Sequence, residues 1–354
     1  MLAVELFLNK GAGEFQNETA AFTNANGNGA VAWADYDNDG DLDLFTSRLY
    51  ENDGSGIFTE KTGDALFDGT GHDALAFGDY DKDGFLDLIA GNKLYRNRGD
   101  KTFELKQTFN TGTVVGACWA DFNGDSFVDI LFTFECWSEP CQEMYYRNNA
   151  DGTFTAGGLS IQSVTINMMA VFDYDSDGDL DIFAGTYADF DKLLRNDDGV
   201  FTEIEKDTHP LTTGKTTVYA VSAGDYDGDG DIDLYVGKEN ADTLFRNHGD
   251  GTFADSENLV LIASTSTTAA TNFVDIDNDG DLDLFVGWTD SYGLFRNDGG
   301  GKFAQSTGSS VDNTIETQRV SMGDYDNDVR RLGAEPLDVS QPCVRRLSDL
   351  AFES

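Results

Sequence analysis

Aspartates at alternate positions are the residues of this sequence whose types and spacing could do chemistry. The segment DYDNDGDLD, residues 35–43, places side-chain oxygens at its positions 1, 3, 5 and 9, on Asp35, Asp37, Asp39 and Asp43. Like charges at this spacing repel one another unless a cation lies among them. Ca²⁺ takes six to eight oxygen ligands, and glycine at position 6 permits the sharp turn that brings them together. Taken alone, the segment is either a calcium loop or a solvated acidic turn.

Repetition of the pattern favours the calcium loop. Six copies begin at residues 35, 79, 121, 173, 225 and 275, and successive copies start 42 to 52 residues apart. A period of this length is typical of repeat architectures. Six loops in one register indicate about six Ca²⁺ ions per chain.

A second repeated segment indicates what lies between the loops. It reads LYRNRGDKTF from Leu94 and LFRNHGDGTF from Leu244, with a short apolar run, an Asn with Gly or Asp, and a Phe. Asn and Gly accept the left-handed backbone conformations of tight hairpin turns. Together the two segments predict four short strands per repeat, and four-stranded sheets at a period of about fifty residues are typical of β-propeller blades.

The EF-hand is the alternative for an Asp-rich calcium loop, and the sequence excludes it. An EF-hand ends its loop with a bidentate Glu at position 12 and has helical flanks. Here position 12 is Thr46, Ala90 or Val236 in three of the loops, and the flanks show a β pattern instead of helical spacing.

The paired motifs GDYDxDGDLDL and LFRNxGDGTF resemble the FG-GAP/VCBS repeats, which resemble the blades of the integrin α-subunit propeller. The resemblance covers roughly residues 1–328. It implies an all-β, seven-bladed β-propeller with Ca²⁺ in the hairpin loop between the first two strands of each blade. It also implies ligation by the side chains at positions 1, 3, 5 and 9 and by the carbonyl at position 7. The candidate ligands are Asp35, Asp37, Asp39, Asp41 and Asp43, then Asp79, Asp81, Asp83, Phe85 and Asp87, then Asp121, Asn123, Asp125, Phe127 and Asp129, then Asp173, Asp175, Asp177, Asp179 and Asp181, then Asp225, Asp227, Asp229, Asp231 and Asp233, and finally Asp275, Asp277, Asp279, Asp281 and Asp283.

Two loops depart from the pattern. The third carries Asn123 at position 3 and Ser126 in place of the turn glycine, so we expect the weakest site there. A seventh copy begins at Asp324, but the chain changes composition after residue 328. We therefore divide the chain into a propeller, 1–328, and an atypical tail, 329–354, which is either a frameshift product or a divergent cap.

The ends of the chain carry a prediction about ring closure. The N-terminal segments ELFLN and EFQNET begin in the middle of a blade, and the segment starting VSMGDYDND could complete that blade and close the ring. Closure would remove exposed sheet edges. The N-terminus lacks the features of a signal peptide and looks truncated.

Charge excludes some classes of partner. The formal net charge of −42 argues against binding nucleic acid or anionic membrane surfaces. No apolar stretch approaches the roughly 20 residues of a membrane span, so direct membrane insertion is not expected. Calcium loops of modest affinity suit millimolar calcium, which favours an extracellular or cell-surface location.

The four cysteines say little about the fold or the function. Cys136 and Cys141 are either a local disulfide or two reduced thiols, and Cys118 reads as a small core residue.

Three classes of function remain open. The first is a calcium-stabilised binding or adhesion module for a protein or glycan, with Trp137, Tyr187 and the loops 208–217 and 262–271 as candidate contacts. The second is a propeller enzyme acting on polysaccharides, although no catalytic constellation is visible. The third is a purely structural segment of a larger surface protein. We expect a binding module and no enzymatic activity.

Overall fold

The computed structural model describes most of the repeats. It covers residues 7–9, 15–17, 30–46, 48–61, 66, 74–111, 114–134, 144–159, 166–239, 241–256, 266–306, 321–322 and 343–344. These residues form an all-β structure with a turn of 3-10 helix at Pro210–Thr212 and no α-helix among them. The all-β prediction is confirmed.

Six antiparallel four-stranded sheets follow one another along the chain as the blades of a propeller. A two-stranded hairpin, β1 (Phe7–Asn9) and β2 (Phe15–Asn17), precedes them. Blade 1 contains β3 (Ala32–Ala34), β4 (Asp43–Phe45), β5 (Leu49–Asn52) and β6 (Phe58–Glu60). Blade 2 contains β7 (Leu75–Gly78), β8 (Asp87–Ala90), β9 (Lys93–Asn97) and β10 (Phe103–Thr108). Blade 3 contains β11 (Val114–Ala120), β12 (Asp129–Phe134), β13 (Met144–Asn148) and β14 (Phe154–Ala156). Blade 4 contains β15 (Ile166–Phe172), β16 (Asp181–Thr186), β18 (Lys192–Asp197) and β19 (Val200–Glu203), and a separate two-stranded sheet of β17 (Asp189–Phe190) and β20 (Lys215–Thr216) accompanies it. Blade 5 contains β21 (Val218–Gly224), β22 (Asp233–Lys238), β23 (Thr243–Asn247) and β24 (Phe253–Asp255). Blade 6 contains β25 (Thr268–Val274), β26 (Asp283–Trp288), β27 (Tyr292–Asn297) and β28 (Phe303–Gln305).

Burial explains why the four strands of a blade differ in composition. The first strand is the innermost, and β15 is buried at every residue, which suits its largely apolar sequence INMMAVF. The fourth strand is the outermost, and β14 is largely exposed. Apolar side chains pack mainly between successive blades, so each blade buries its faces against its neighbours.

The prediction of seven blades needs correction. Within the described ranges there are six complete blades and the two-stranded hairpin β1–β2. Of the segment expected to complete the seventh blade, which starts VSMGDYDND at residues 320–328, those ranges include only residues 321–322, so the predicted closure lies outside them.

One short strand of the tail belongs to the propeller. The strand β29 (Cys343–Val344) pairs antiparallel with the inner strand β15, opposite Met169 and Met168, and it also lies beside β11 of blade 3. Cys118 of β11 is buried, as expected, but it is also disulfide-bonded, which its sequence context did not predict. Cys136, Cys141 and Trp137 lie outside the described residues.

No helix in the described part of the chain has both the length and the apolar character needed to cross a bilayer.

Candidate metal centres

Each acidic loop is the connection between the first and second strands of a blade. In blade 2, Gly78 at the end of β7 pairs with Asp87 at the start of β8, and the loop lies between them. The other five loops have the same register, so position 9 always begins the second strand. The sheet therefore holds both ends of each loop at fixed separation.

Hydrogen bonds inside the loop curl its backbone. Asp79 at position 1 accepts from the N–H groups of Asp83 and Gly84, each at 3.0 Å. Asp83 at position 5 accepts from Phe85 N at 3.0 Å. The same three bonds recur in the other loops. Gly84 has φ 86° and open space around its missing Cβ, so backbone conformation alone selects glycine there.

The carboxylate at position 9 ties the loop to the third strand. Asp87 is fully buried, and its Oδ2 accepts from Tyr80 N at 3.2 Å while its Oδ1 accepts from Asn97 N at 2.8 Å. Equivalent bonds hold position 9 of every other loop. In the loops other than the third, each oxygen of this carboxylate accepts one of these two bonds and retains lone pairs that can face a cation.

The carboxylates converge in five of the six loops. Three ligand oxygens lie within 4.8 Å of one another in the groups Asp35–Asp37–Asp39, Asp79–Asp81–Asp87, Asp173–Asp175–Asp181, Asp225–Asp227–Asp229 and Asp275–Asp277–Asp279. Positions 1, 3, 5 and 9 all contribute to one group or another. Asp121, Asp125 and Asp129 of the third loop form no such group among the described residues.

The carboxylate at position 3 is the clearest indication of a cation site. In five loops one of its carboxylate oxygens is buried without a hydrogen-bond partner, namely Oδ1 of Asp37, Asp81, Asp175, Asp227 and Asp277. A buried acceptor left unpaired costs about 1–3 kcal/mol, and more when it is charged. A divalent cation at the centre of the loop would satisfy these oxygens, so the residues present fit Ca²⁺.

Position 7 faces away from this centre. A Cβ placed on Gly54 or Gly249, in the turns between third and fourth strands, would lie 2.5 Å from Asp41 Oδ2 or 2.4 Å from Asp231 Oδ1. The side chains of Phe85, Asp179 and Asp281 lie against the corresponding turns. Only the backbone carbonyl of position 7 remains available as a ligand, as the resemblance implies.

Basic side chains on the third strand offset part of the loop charge. Arg96 Nε lies 2.7 Å from Asp81 Oδ2, and Arg96 Nη2 lies 2.8 Å from Asp83 Oδ2. Arg246 and Arg296 make the same kind of contact in blades 5 and 6. In blade 1, Lys101 from the neighbouring blade lies 2.5 Å from Asp37 Oδ2. These pairs are partly exposed and contribute little individually.

Burial governs the acidity of position 9 in the metal-free protein. It raises the pKa of Asp87 to about 8 and the pKa values of Asp43, Asp181 and Asp233 to about 7. Neighbouring carboxylates raise these pKa values further, and the two backbone N–H bonds lower them. The pKa values of Asp129 and Asp283 rise to about 6 for the same main reason. A bound cation would favour the ionised form and oppose these shifts.

Asparagines of the second repeated segment have a role that the sequence interpretation missed. Asn97 lies in β9 and is fully buried, and its Nδ2 donates to Tyr36 O of the preceding blade at 2.6 Å. Its Oδ1 accepts from Gly99 N at 3.0 Å, so Gly99 takes the left-handed conformation and Asn97 does not. The same inter-blade bond recurs from Asn148, Asn196, Asn247 and Asn297. The return of Asn at one fixed point of the repeated segment was the available signal.

Candidate ligand contacts on the loops are only partly described. Tyr187 is 47% exposed beside Ala188, whose φ is 55°, and Thr217 Oγ1 accepts from Ala188 N at 3.2 Å. Residues 208–217 contain the 3-10 turn and β20, which pairs with β17 next to Tyr187. Of the loop 262–271, residues 266–271 are described.

Comparison with known proteins agrees with the blade architecture. The FG-GAP-like repeat family matches residues 3–46, 173–236 and 225–286. These matches agree with the six consecutive four-stranded blades. The chain is an FG-GAP β-propeller.

Solved structures show the same fold at low identity. An Agrocybe aegerita lectin, described as recognising non-reducing terminal N-acetylglucosamine, has a TM-score of 0.58 and 22% identity over 78% of each chain. BBS1N in complex with ARL6DN has a TM-score of 0.55 and 12% identity over 92% of this chain and 91% of that one. No protein among the curated ones matches this FG-GAP propeller in sequence.

Proposed function

We propose that this FG-GAP propeller is a Ca²⁺-stabilised binding module. The observation that carries the proposal is the buried, unpartnered carboxylate oxygen at position 3 in five loops. Asp37 illustrates it, since its side chain is only 1% exposed and its Oδ1 has no donor. Ca²⁺ bound there would coordinate the unpartnered oxygen and hold the loop against the second and third strands.

A calorimetric titration of chelator-stripped protein with CaCl₂ tests the metal site. We expect saturable binding of several ions per chain with dissociation constants of about 0.1–1 mM, as for calcium loops that work outside cells. MgCl₂ serves as the control, because Mg²⁺ prefers octahedral sites with retained waters and should bind more weakly here. Absence of calcium binding would refute the proposal.

The proposed ligand is a protein or a glycan met by loops at the end of the blades opposite the acidic loops. Tyr187 is the best described candidate, because its ring is exposed on a turn that Thr217 and Asp191 hold rigid. Asp191 accepts from Thr186 N at 2.8 Å, directly before Tyr187. Exposed aromatic rings on rigid turns are suited to stacking against sugars or apolar side chains.

Glycan binding can be tested with one variant and a matched control. Because a solved lectin of this fold is described as recognising non-reducing terminal N-acetylglucosamine, glycans that end in this sugar are the first probes to use on an array. If Tyr187 contacts the ligand, Tyr187→Ala should weaken binding at least tenfold. Val200→Ala should leave binding unchanged, because Val200 is 65% exposed but lies at the start of β19, at the opposite end of blade 4.

We propose an extracellular or cell-surface location and no catalytic role. The disulfide bond of Cys118 supports an oxidising compartment. The proposed calcium sites use ionised carboxylates, which are then not free to act as acids. A polysaccharide-cleaving enzyme and a purely structural segment remain the alternatives, and turnover of a polysaccharide would favour the first of them.

A further inference from the structure

The third loop differs from the other five at its position-9 carboxylate. Asp129 accepts the two backbone bonds common to all loops, from Phe122 N at 3.3 Å and Asn148 N at 2.7 Å. It also accepts from the hydroxyl of Tyr145 at 2.8 Å and from Asn123 Nδ2 at 3.4 Å. Four donors therefore converge on a carboxylate that is fully buried.

Tyr145 is particular to this blade. The equivalent residue, at the start of the LxRN segment, is a leucine in the other five blades, at Leu49, Leu94, Leu193, Leu244 and Leu294. Leucine has no hydrogen-bond donor, so in those blades this position cannot serve the position-9 carboxylate.

Contacts with neighbouring aromatic rings hold the Tyr145 ring so that its hydroxyl points at Asp129. The ring is 4% exposed and lies edge-on to Phe122 at 5.5 Å and to Phe201 of blade 4 at 5.7 Å. The blade 4 turn covers the site, since a Cβ on Gly199 would lie 3.2 Å from Asn123 Cβ and 3.6 Å from the Tyr145 hydroxyl. The hydroxyl therefore has a fixed partner in Asp129.

Asn123 removes the unsatisfied group that marks the other loops. Its Nδ2 donates to Asp129, and its Oδ1 accepts from Asp125 N at 3.0 Å. In the other five loops position 3 is an aspartate with a buried oxygen that has no partner. The third loop thus combines fewer carboxylates with side-chain donors that already serve its buried acceptors, and fewer charged ligands weaken calcium binding.

We infer that the third loop holds its conformation without a cation, because Tyr145 and Asn123 donate to Asp129 where Ca²⁺ serves the other loops. This inference rests on the proposed function, since it assumes that the other loops bind Ca²⁺. It replaces the expectation of six ions, with a weak third site, by five ions and one hydrogen-bonded loop.

A pair of matched variants tests the inference by calcium stoichiometry. Asp121→Asn and Asp275→Asn change the same position in the third and sixth loops, and in both loops the single Asn oxygen can keep one of the two backbone bonds made there, so the variants are matched. We expect five ions for the wild-type protein, five for Asp121→Asn and four for Asp275→Asn. Loss of an ion from Asp121→Asn would overturn the inference and leave the proposed function standing. Absence of binding to the wild-type protein would overturn both.

Tyr145→Phe gives a second, independent readout. Removing the hydroxyl leaves Asp129 with one buried donor fewer, so the melting temperature should fall by about 2–4 °C. The inference predicts the same fall in calcium and in EDTA. A fall in EDTA that calcium abolishes would show a cation in the third loop and contradict the inference.

Discussion

Single buried asparagines connect each blade to the one before it. Asn97 donates to Tyr36 O across the blade boundary and to Leu86 O within its own blade, at 2.6 and 3.1 Å. Its backbone N–H donates to the position-9 carboxylate of Asp87. One side chain therefore links an acidic loop, a hairpin turn and the neighbouring blade, which explains why Asn recurs at this point of the repeat.

Asn97→Ala should destabilise the protein by about 2–4 kcal/mol, because two carbonyl oxygens and one turn N–H lose a buried partner. Urea unfolding monitored by tryptophan fluorescence measures the change. The control is Asn149→Ala, which removes an exposed amide that bonds only the nearby Thr153 and Thr155 side chains. That control should cost less than about 0.5 kcal/mol. Equal effects of the two variants would contradict this role for Asn97.

At the level of the element, the acidic loop is a strained connection in the absence of a cation. Each loop places a residue with positive φ at position 4, such as Lys82 at 58°, and another at position 6. Left-handed conformations and like charges both oppose this geometry. The sheet register and the position-9 bonds hold the loop in place regardless.

The pH dependence of stability should reverse when calcium is removed. In EDTA, the raised pKa values of Asp87, about 8, and Asp233, about 7, mean that the native state binds more protons than the unfolded chain. Their stabilising contribution is complete below the ordinary pKa of 3.8 and is lost as the pH rises through 7 to 8. The free energy of unfolding in EDTA should therefore fall between about pH 5.5 and 8.

Urea unfolding at several pH values checks this expectation. In saturating calcium the trend should be the opposite, because only ionised carboxylates bind the ion. Asp87→Asn removes one titrating group and should flatten the profile in EDTA, which separates this effect from general repulsion at high net charge. A free energy of unfolding in EDTA that rises with pH would contradict the raised pKa values.

Local features were predictable from the sequence, and contacts between distant residues were not. The loops repeat at fixed positions, so the repeat pattern alone assigns Asp79 or Asp225 to a position and a role. Tyr145 differs from leucine at one site, and its importance depends on Asp129, sixteen residues away in sequence and adjacent only in the folded sheet. The strand β29 pairs with the distant strand β15, and nothing local to Cys343 indicates this partner.

Across the whole molecule, coupling between blades is continuous from blade 1 to blade 6. Five apolar clusters lie at the boundaries between successive blades, and an asparagine bond accompanies each boundary. An ion that stabilises one loop would therefore also support the next blade. Repeat proteins in which each unit contacts only its neighbours gain stability in this stepwise way.

Hydrogen–deuterium exchange with peptide resolution, in calcium and in EDTA, is the sharpest test of calcium binding by these loops. Calcium should slow amide exchange in the loops 35–43, 79–87, 173–181, 225–233 and 275–283, because ions that bind only the native loop suppress its local opening. The loop 121–129 should exchange at the same rate in both conditions. Unchanged exchange in all six loops would contradict the assignment of these carboxylates to calcium.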